Sequence, residues 1–531
     1  MTETAAKRQS ESNVKETIES ILVAFILAFI FRAFVVEAFV IPTGSMAPSL
    51  YGAHMRFRCP DCGTTFDVGY STRQTDSSDE PDIPAAAQRV TDYHCPNCGY
   101  RFNRGEIQRV RFGDRILVLK YLYLFEKPQR GDTVVFKAPL ESHHPKDPEY
   151  SVNYIKRLVG IGPETVVLLD GDVYIAPFGS RDPAKFKIWR KPSHVQDVLW
   201  RGIYDNDFIP HLTDNDRARD HEWKQPWEAL GSGNWDTGQD GRSRIFRFSG
   251  DTEGSLIFNA NANPDAHALT DYLVYDEWEH RGWEPRPVSD LKLACTYTRS
   301  AGDGPLRLQL TKLQDCFTAQ VTRGKITLLR SKLSKPGSFE ASSEQTVAEK
   351  SLAELNSSAP ARIELMNVDY RVTVRINGNE AIAFEYDPDV GTLWKHAMDA
   401  SARLDPFAYP QVRITAASQH CTVEHLQLAR DIFYLNNRSD TLFWGNPSRP
   451  SDLKAGEYFV LGDNSFISGD ARYWSDPVEL PKEGMPYVES GRVPEQFMLG
   501  KAFFVYWPAG YSVPSTSVNI VPDFGDMRFI H

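Results

Sequence analysis

At 531 residues the chain exceeds one ordinary core, and 41% apolar residues allow several domains a packed interior each, which excludes a disordered protein. A formal charge of −11 excludes a general nucleic-acid binder, because phosphate binding needs a basic face. Seven cysteines are too few for a disulfide scaffold at this length, and four of them form two Cys-x-x-Cys pairs.

Residues 1–17 read as a polar tail. The run Ile21-Leu-Val-Ala-Phe-Ile-Leu-Ala-Phe-Ile-Phe31 is about as long as the apolar region of a cleaved signal peptide, whereas a span needs ~20 residues. No small-x-small cleavage site follows, and the apolar character continues past Arg32 through Phe34, Val35 and Val36. An uncleaved transmembrane anchor over 18–40 is therefore the preferred reading, with Arg32 snorkelling to the interface. Lys7, Arg8 and Lys15 favour a cytoplasmic N-terminus, although Arg56 and Arg58 on the far side weaken that asymmetry.

The next stretch, 41–56, holds a serine in a turn. Pro42, Gly44 and Pro48 deny it a continued helix and let Ser45 project into a cleft. An unassisted hydroxyl is a poor nucleophile, so a base is required, and Lys156 in Tyr154-Ile-Lys-Arg-Leu-Val-Gly160 is the candidate. Burial among Ile155, Leu158 and Val159 would lower its pKa from ~10.4, while Arg157 should face the opposite side of the strand.

Residues 57–104 carry Cys59-Pro-Asp-Cys-Gly63 and His94-Cys-Pro-Asn-Cys-Gly99. Each knuckle sets two thiolates on one side of a tight turn, so Cys59, Cys62, Cys95 and Cys98 suit one tetrahedral structural zinc, with His94 a bystander. Two disulfides are the competing reading in an oxidising compartment.

From 105 to 176 short apolar runs opened by Gly-Asp turns predict antiparallel strands, ending in a hairpin about Asp170-Gly171. An aromatic-rich linking segment over 177–229 leads to many short alternating strands over 230–430, which predict a β-sandwich. Arg375-Ile-Asn-Gly-Asn-Glu-Ala-Ile-Ala383 within it resembles a hairpin of concanavalin-like jelly-roll domains, a fold that permits sugar binding without establishing it. The remaining residues, 431–531, return to strands and include Gly462-Asp-Asn-Ser-Phe-Ile-Ser-Gly-Asp-Ala-Arg-Tyr-Trp474.

Taken in order, Thr-Gly-Ser-Met-Ala-Pro, Gly-Asp-Arg-Ile-Leu-Val, Arg-Gly-Asp-Thr-Val-Val-Phe, Tyr-Ile-Lys-Arg-Leu-Val-Gly and Gly-Asp-Asn-Ser…Ser-Gly-Asp-Ala-Arg resemble the type I signal peptidases. The likeness covers roughly 18–56, 105–176 and 453–508, and the zinc-ribbon-like four-cysteine segment and the sandwich look like insertions. It implies a mainly β fold with an N-terminal transmembrane helix. Ser45 would be the nucleophile and Lys156 the general base; Ser468 and Asp470 would position the lysine and brace the site, and Arg472 would pair with that aspartate. Thr43 would join the Ser45 N–H as an oxyanion donor. Ala471 and Ser475 depart from the family pattern outside these positions.

The same resemblance implies catalysis without a cofactor and preproteins bearing signal peptides as substrates, cut after small residues at the first and third positions before the bond. It places a single-pass enzyme in the plasma (inner) membrane, near the secretion translocon, with its catalytic domain on the extracytoplasmic side and no nucleic-acid partner. Two other classes compete: a catalytically idle membrane scaffold using the two insertions, which predicts a lost nucleophile or base, and a self-cleaving repressor, which needs a DNA-binding N-terminus. The sandwich is also expected to be separable, so that removing about 180–450 leaves the core assembled.

Overall fold

The computed structural model describes residues 16–26, 36–70, 88–89, 93–102, 107–108, 110–139, 152–211, 221–231, 234–264, 266, 268–276, 285–339, 343–356, 358–399, 404–435, 443–474, 489–510 and 522–531. The chain is mainly β. Its central sheet is antiparallel and built from β1 (Val36–Val40), β2 (Arg115–Leu119), β3 (Thr133–Lys137), β4 (Asn153–Ile161), β5 (Glu457–Leu461), β6 (Val493–Pro494) and β7 (Met498–Trp507). Their spatial order is β1-β2-β7-β3-β4-β5-β6. Strands from 36 to 507 therefore interleave, and everything between β4 and β5 is a long excursion from one sheet.

The anchor expected over 18–40 is corrected at its C-terminal end. Val36–Val40 pairs in register with Leu119–Arg115, so these residues are a sheet edge strand and not helix. Val36 and Val40 are β-branched and favour the pleated conformation, and Glu37 is held by Lys120 at 3.0 Å. A helix covers 16–26; residues 27–35 lie outside the described residues. Among the described residues no helix is long and apolar enough to cross a membrane.

The hairpin about Asp170-Gly171 forms with both turn residues at positive φ, 50° and 87°. Its strands, Glu164–Leu169 and Asp172–Pro177, belong to a separate four-stranded sheet with Lys187–Ile188 and Ser451–Leu453. Alternation then does two jobs. Val166, Leu168 and Val173 face the central core with Leu158, Phe459 and Leu461, while Val167, Leu169, Tyr174 and Ala176 enter the core of the excursion.

That excursion contains two large antiparallel sheets sharing one apolar core. Their strands begin inside the segment read as a linker: Arg201–Asp205 pairs with Gln427–Arg430, and Trp227–Gly231 pairs with Gly254–Phe258. The contact with the hairpin is also ionic. Lys312 pairs with Asp290 and lies 3.5 Å from Asp172, and Lys191 pairs with Asp369 at 2.5 Å and Asp431 at 2.8 Å, all of them buried. Removing 180–450 would bare one apolar face of the hairpin and take the lysine away from Asp172.

The four-cysteine segment is a small unit wider than 57–104, and Ile209 and Trp223 of the excursion enter its core. His54–Arg58 pairs with Thr65–Gly69, Tyr93–His94 pairs with Arg101–Phe102, and His54 exchanges backbone hydrogen bonds with Arg111. Phe57 packs against Phe66, Tyr93 and Phe102 at centroid separations of 5.4, 5.6 and 5.2 Å, a compact aromatic core for a unit too small to build a larger one.

Candidate active site

Ser45 sits in a single 3-10 turn, Gly44–Met46, between extended Thr43 and extended Ala47. Pro42 and Pro48 bracket it, and the fully buried Met46 pins the turn to the protein, its sulfur receiving the Asp463 N–H at 3.5 Å. Lys156 lies on β4, where pairing with Val134 fixes its height along the sheet. The two meet across 111 residues of sequence: Lys156 Nζ donates to Ser45 Oγ at 2.8 Å, and also to the Ile155 carbonyl at 3.0 Å. Both side chains are buried.

Burial dominates the electrostatics of the lysine. It pulls the ammonium down to about 8, against the opposing fields of Asp470 and Asp463, with Arg472 adding to the lowering. No carboxylate hydrogen-bonds the lysine among the described residues, so the charged form is poorly compensated and the neutral amine is accessible near neutral pH.

Asp470 and Arg472 form a bidentate pair, Arg472 Nε to Oδ1 at 2.8 Å and Nη2 to Oδ2 at 2.7 Å. Asp470 also takes the Gly462 N–H at 2.9 Å, and Arg472 reaches the Leu435 carbonyl and Ser465. The pair thus ties together both ends of the loop that passes Ser45. Ser468 is close by: a Cβ added at Gly462 would lie 2.2 Å from Ser468 Oγ and 2.4 Å from the Ser45 carbonyl oxygen. The expected contact with Lys156 is not made, and Ser468 Oγ is buried with no hydrogen-bond partner among the described residues. Thr43 is exposed at the mouth, its Oγ1 3.5 Å from Ser45 Oγ.

Sequence reasoning passed over three residues that the structure brings to the same place. Asn464 donates its backbone N–H to the Ser45 carbonyl at 3.1 Å, and its amide nitrogen to Asp276 at 2.8 Å. Asp463 forms a buried bidentate pair with Arg157, both bonds 2.7 Å. Asp463 and Asn464 lie in the quoted Gly-Asp-Asn-Ser block and were within reach; Asp276 has no motif around it.

The four thiols of Cys59, Cys62, Cys95 and Cys98 are buried and form no disulfide, with Cys59–Cys98 and Cys62–Cys95 sulfurs each 3.6 Å apart and all four within 4.8 Å of one another. A tetrahedron of ~2.3 Å zinc–sulfur bonds sets its sulfurs roughly 3.8 Å apart, so the arrangement fits such an ion. A disulfide needs sulfurs at about 2.05 Å. A second cluster, Asp172, Asp290 and Asp369, also gathers carboxylate oxygens within 4.8 Å, but Lys312 and Lys191 already supply its cations.

The family model described as "Signal peptidase, peptidase S26" matches residues 108–192 and 412–507, which contain Lys156, Ser468, Asp470 and Arg472. A signal peptidase I of Pseudomonas aeruginosa is 38% identical over 85 residues, 16% of this chain and 26% of that protein. Over these segments the chain is similar to the type I signal peptidases. A Rickettsia bellii signal peptidase I is 25% identical over 170 residues, 31% of this chain and 42% of its own length. The chain thus spans less than half the length of either of these type I signal peptidases. Among solved structures, a carbohydrate-binding module, CBM66, from Bacillus subtilis aligns with 39% of this chain and 96% of its own at 10% identity, but a TM-score of 0.24 is too low for that likeness to carry a conclusion.

Proposed function

We propose that the protein removes N-terminal signal peptides from exported preproteins as a membrane-anchored Ser/Lys serine endopeptidase. The observation that carries this is the buried 2.8 Å contact from Lys156 Nζ to Ser45 Oγ, with the lysine drawn down to about 8. In its neutral form Lys156 takes the Ser45 proton as Oγ attacks the scissile carbonyl. The resulting ammonium then protonates the departing amine, leaving an acyl ester on Ser45. A water, deprotonated by the neutral lysine, attacks that ester and releases the signal peptide with its new carboxyl group. The Ser45 N–H and Thr43 Oγ1 are the oxyanion donors in this reading; Asp470 and Arg472 brace the loop, and Ser468 lines the floor.

Substrate register follows from a strand edge left unpaired among the described residues. On the side away from β3, strand β5 pairs with Arg157–Ile161 only, so Asn153–Lys156 present an edge beside the dyad. An extended peptide added there would reach Ser45 with alternate side chains facing the floor, and small residues at −1 and −3 suit a buried floor.

The helix over 16–26 supports the anchor: Ile18, Ile21, Leu22, Val23, Phe25 and Ile26 are each more than half exposed, an apolar surface suited to lipid and not to water. The anchor would hold the enzyme in the bilayer that holds the substrate's own apolar segment, near the translocon. Cys59, Cys62, Cys95 and Cys98 would hold a structural zinc, which cross-links the two knuckles and, with four thiolates, has no open position for chemistry. Cleavage of a preprotein by the purified full chain, lost in Ser45→Ala, is the deciding test. Undiminished cleavage by that variant would end this reading.

A further inference from the structure

One side chain from the excursion between β4 and β5 lies directly on the turn that carries Ser45. Tyr275 belongs to the short turn Val274–Asp276 and is 5% exposed. A Cβ placed on Gly44 would lie 2.3 Å from Tyr275 Cε1 and 2.7 Å from its hydroxyl oxygen, so the ring rests on the Gly44 backbone. The same ring meets the four-cysteine unit, where a Cβ on Gly69 would lie 2.6 Å from Cε1. The next residue continues the contact. Asp276, also buried, accepts the Asn464 amide hydrogen bond at 2.8 Å, and the Asn464 backbone N–H holds the Ser45 carbonyl at 3.1 Å.

We propose that Tyr275 and Asp276 are positioning residues for peptide-bond cleavage at Ser45, supplied by the inserted segment and not by the peptidase core. The proposal rests on Ser45 being the nucleophile. Gly44 is the residue with the widest backbone freedom in the turn, and it directly precedes that nucleophile. A large ring seated on its Cα removes that freedom from one side. From the other side Asp276 holds the fully buried Asn464 by a charge-assisted hydrogen bond, and Asn464 in turn holds the carbonyl of Ser45 itself. Neither side chain needs to touch substrate. Their effect is on where Oγ stands relative to the scissile carbonyl, a distance to which rate is steeply sensitive.

The test uses the full chain, with a purified preprotein as substrate and kcat and KM measured separately. Asp276→Ala and Tyr275→Ala are expected to lower kcat about 10- to 100-fold, the scale of a misplacement near 1 Å, with KM changed less than about twofold. Asp276→Asn keeps an acceptor for Asn464, and Tyr275→Phe keeps the ring, so each should retain most of the wild-type kcat. A merely structural role would not separate kcat from KM or be rescued by these two replacements. If Tyr275→Ala does not fold, Asp276→Ala carries the test, since it removes one hydrogen bond and leaves the ring in place. Wild-type kcat in Asp276→Ala, a change confined to KM, or equal loss in Asp276→Asn would overturn the proposal. Ser45→Ala is run beside them: activity surviving there refutes the nucleophile itself, whereas loss there with normal kcat in the Asp276 and Tyr275 variants refutes only the positioning role.

Discussion

Lys156 and Arg157 are consecutive on β4, both buried, and shifted in opposite directions. Burial opposes the charge of each, but Arg157 meets Asp463 in two 2.7 Å hydrogen bonds and is held above its ordinary value, whereas Lys156 donates to a hydroxyl and a carbonyl, hydrogen-bonds no carboxylate among the described residues, and falls to about 8. The strand's period of two separates them, so one cation is neutralised by a carboxylate and the other is left able to lose its proton.

This sets the pH dependence. In the proposed mechanism the active form is the neutral amine, so the folded-state value of about 8 places the acid limb: kcat/KM should rise with pH through roughly 8 and fall away below it. Initial rates on full-length enzyme across pH 6 to 10 check it. A limb near the ordinary lysine value of ~10.4 would show that the buried environment does not act on Lys156.

Replacing either member of the dyad should abolish processing. Ser45→Ala and Lys156→Ala are expected to be equally inactive, and the double variant no worse, because the two act as a unit. Thr43→Val should cost less, about 10- to 1000-fold in kcat, if its hydroxyl donates to the oxyanion. Single-turnover rates separate these cases, and an unchanged rate in the valine variant removes Thr43 from the site.

Breaking the Arg157–Asp463 pair should act on the fold before it acts on the chemistry. Asp463→Ala leaves a buried guanidinium without its carboxylate and should destabilise by about 3–5 kcal/mol. Denaturant unfolding measures this, and a shift under about 1 kcal/mol would mean that the guanidinium finds other partners.

Metal analysis of the purified protein should find about one zinc per chain, lost on replacing Cys59 or Cys98 with serine. The thermal midpoint should drop with it, since the four-cysteine unit has only a small core. Stoichiometric disulfides and no metal would favour the redox alternative.

Deletion of 180–450 with a short linker should give an insoluble or unfolded product. Val167, Leu169, Tyr174 and Ala176 lose the core they enter, and Asp172 loses Lys312. A soluble deletion variant that still cuts a short peptide would show that the hairpin tolerates exposure and that Tyr275 and Asp276 are dispensable.

Much of the site was written in short contiguous stretches. Ser45 was legible because two prolines and a glycine dictate its turn within a few residues, and Lys156 because its strand neighbours are apolar on the face it shares. Asp470 and Arg472 are two apart and pair locally, so one block carries both. The cluster of four cysteines was legible for the same reason, since each knuckle closes on itself. The tertiary structure alone decided the rest. Whether 36–40 extends a helix or starts a sheet depends on β2, about eighty residues later, offering it hydrogen bonds. Ser468 lies in the expected loop, yet it makes no hydrogen bond to the lysine. The side chains of Tyr275 and Asp276 carry no local signature, because their role comes from meeting Gly44 and Asn464, some two hundred residues away on either side. Local pattern sets turns and strand faces through backbone sterics and alternation, whereas contacts between distant segments are chosen by which surfaces bury best together, and that choice is made only when the whole chain packs.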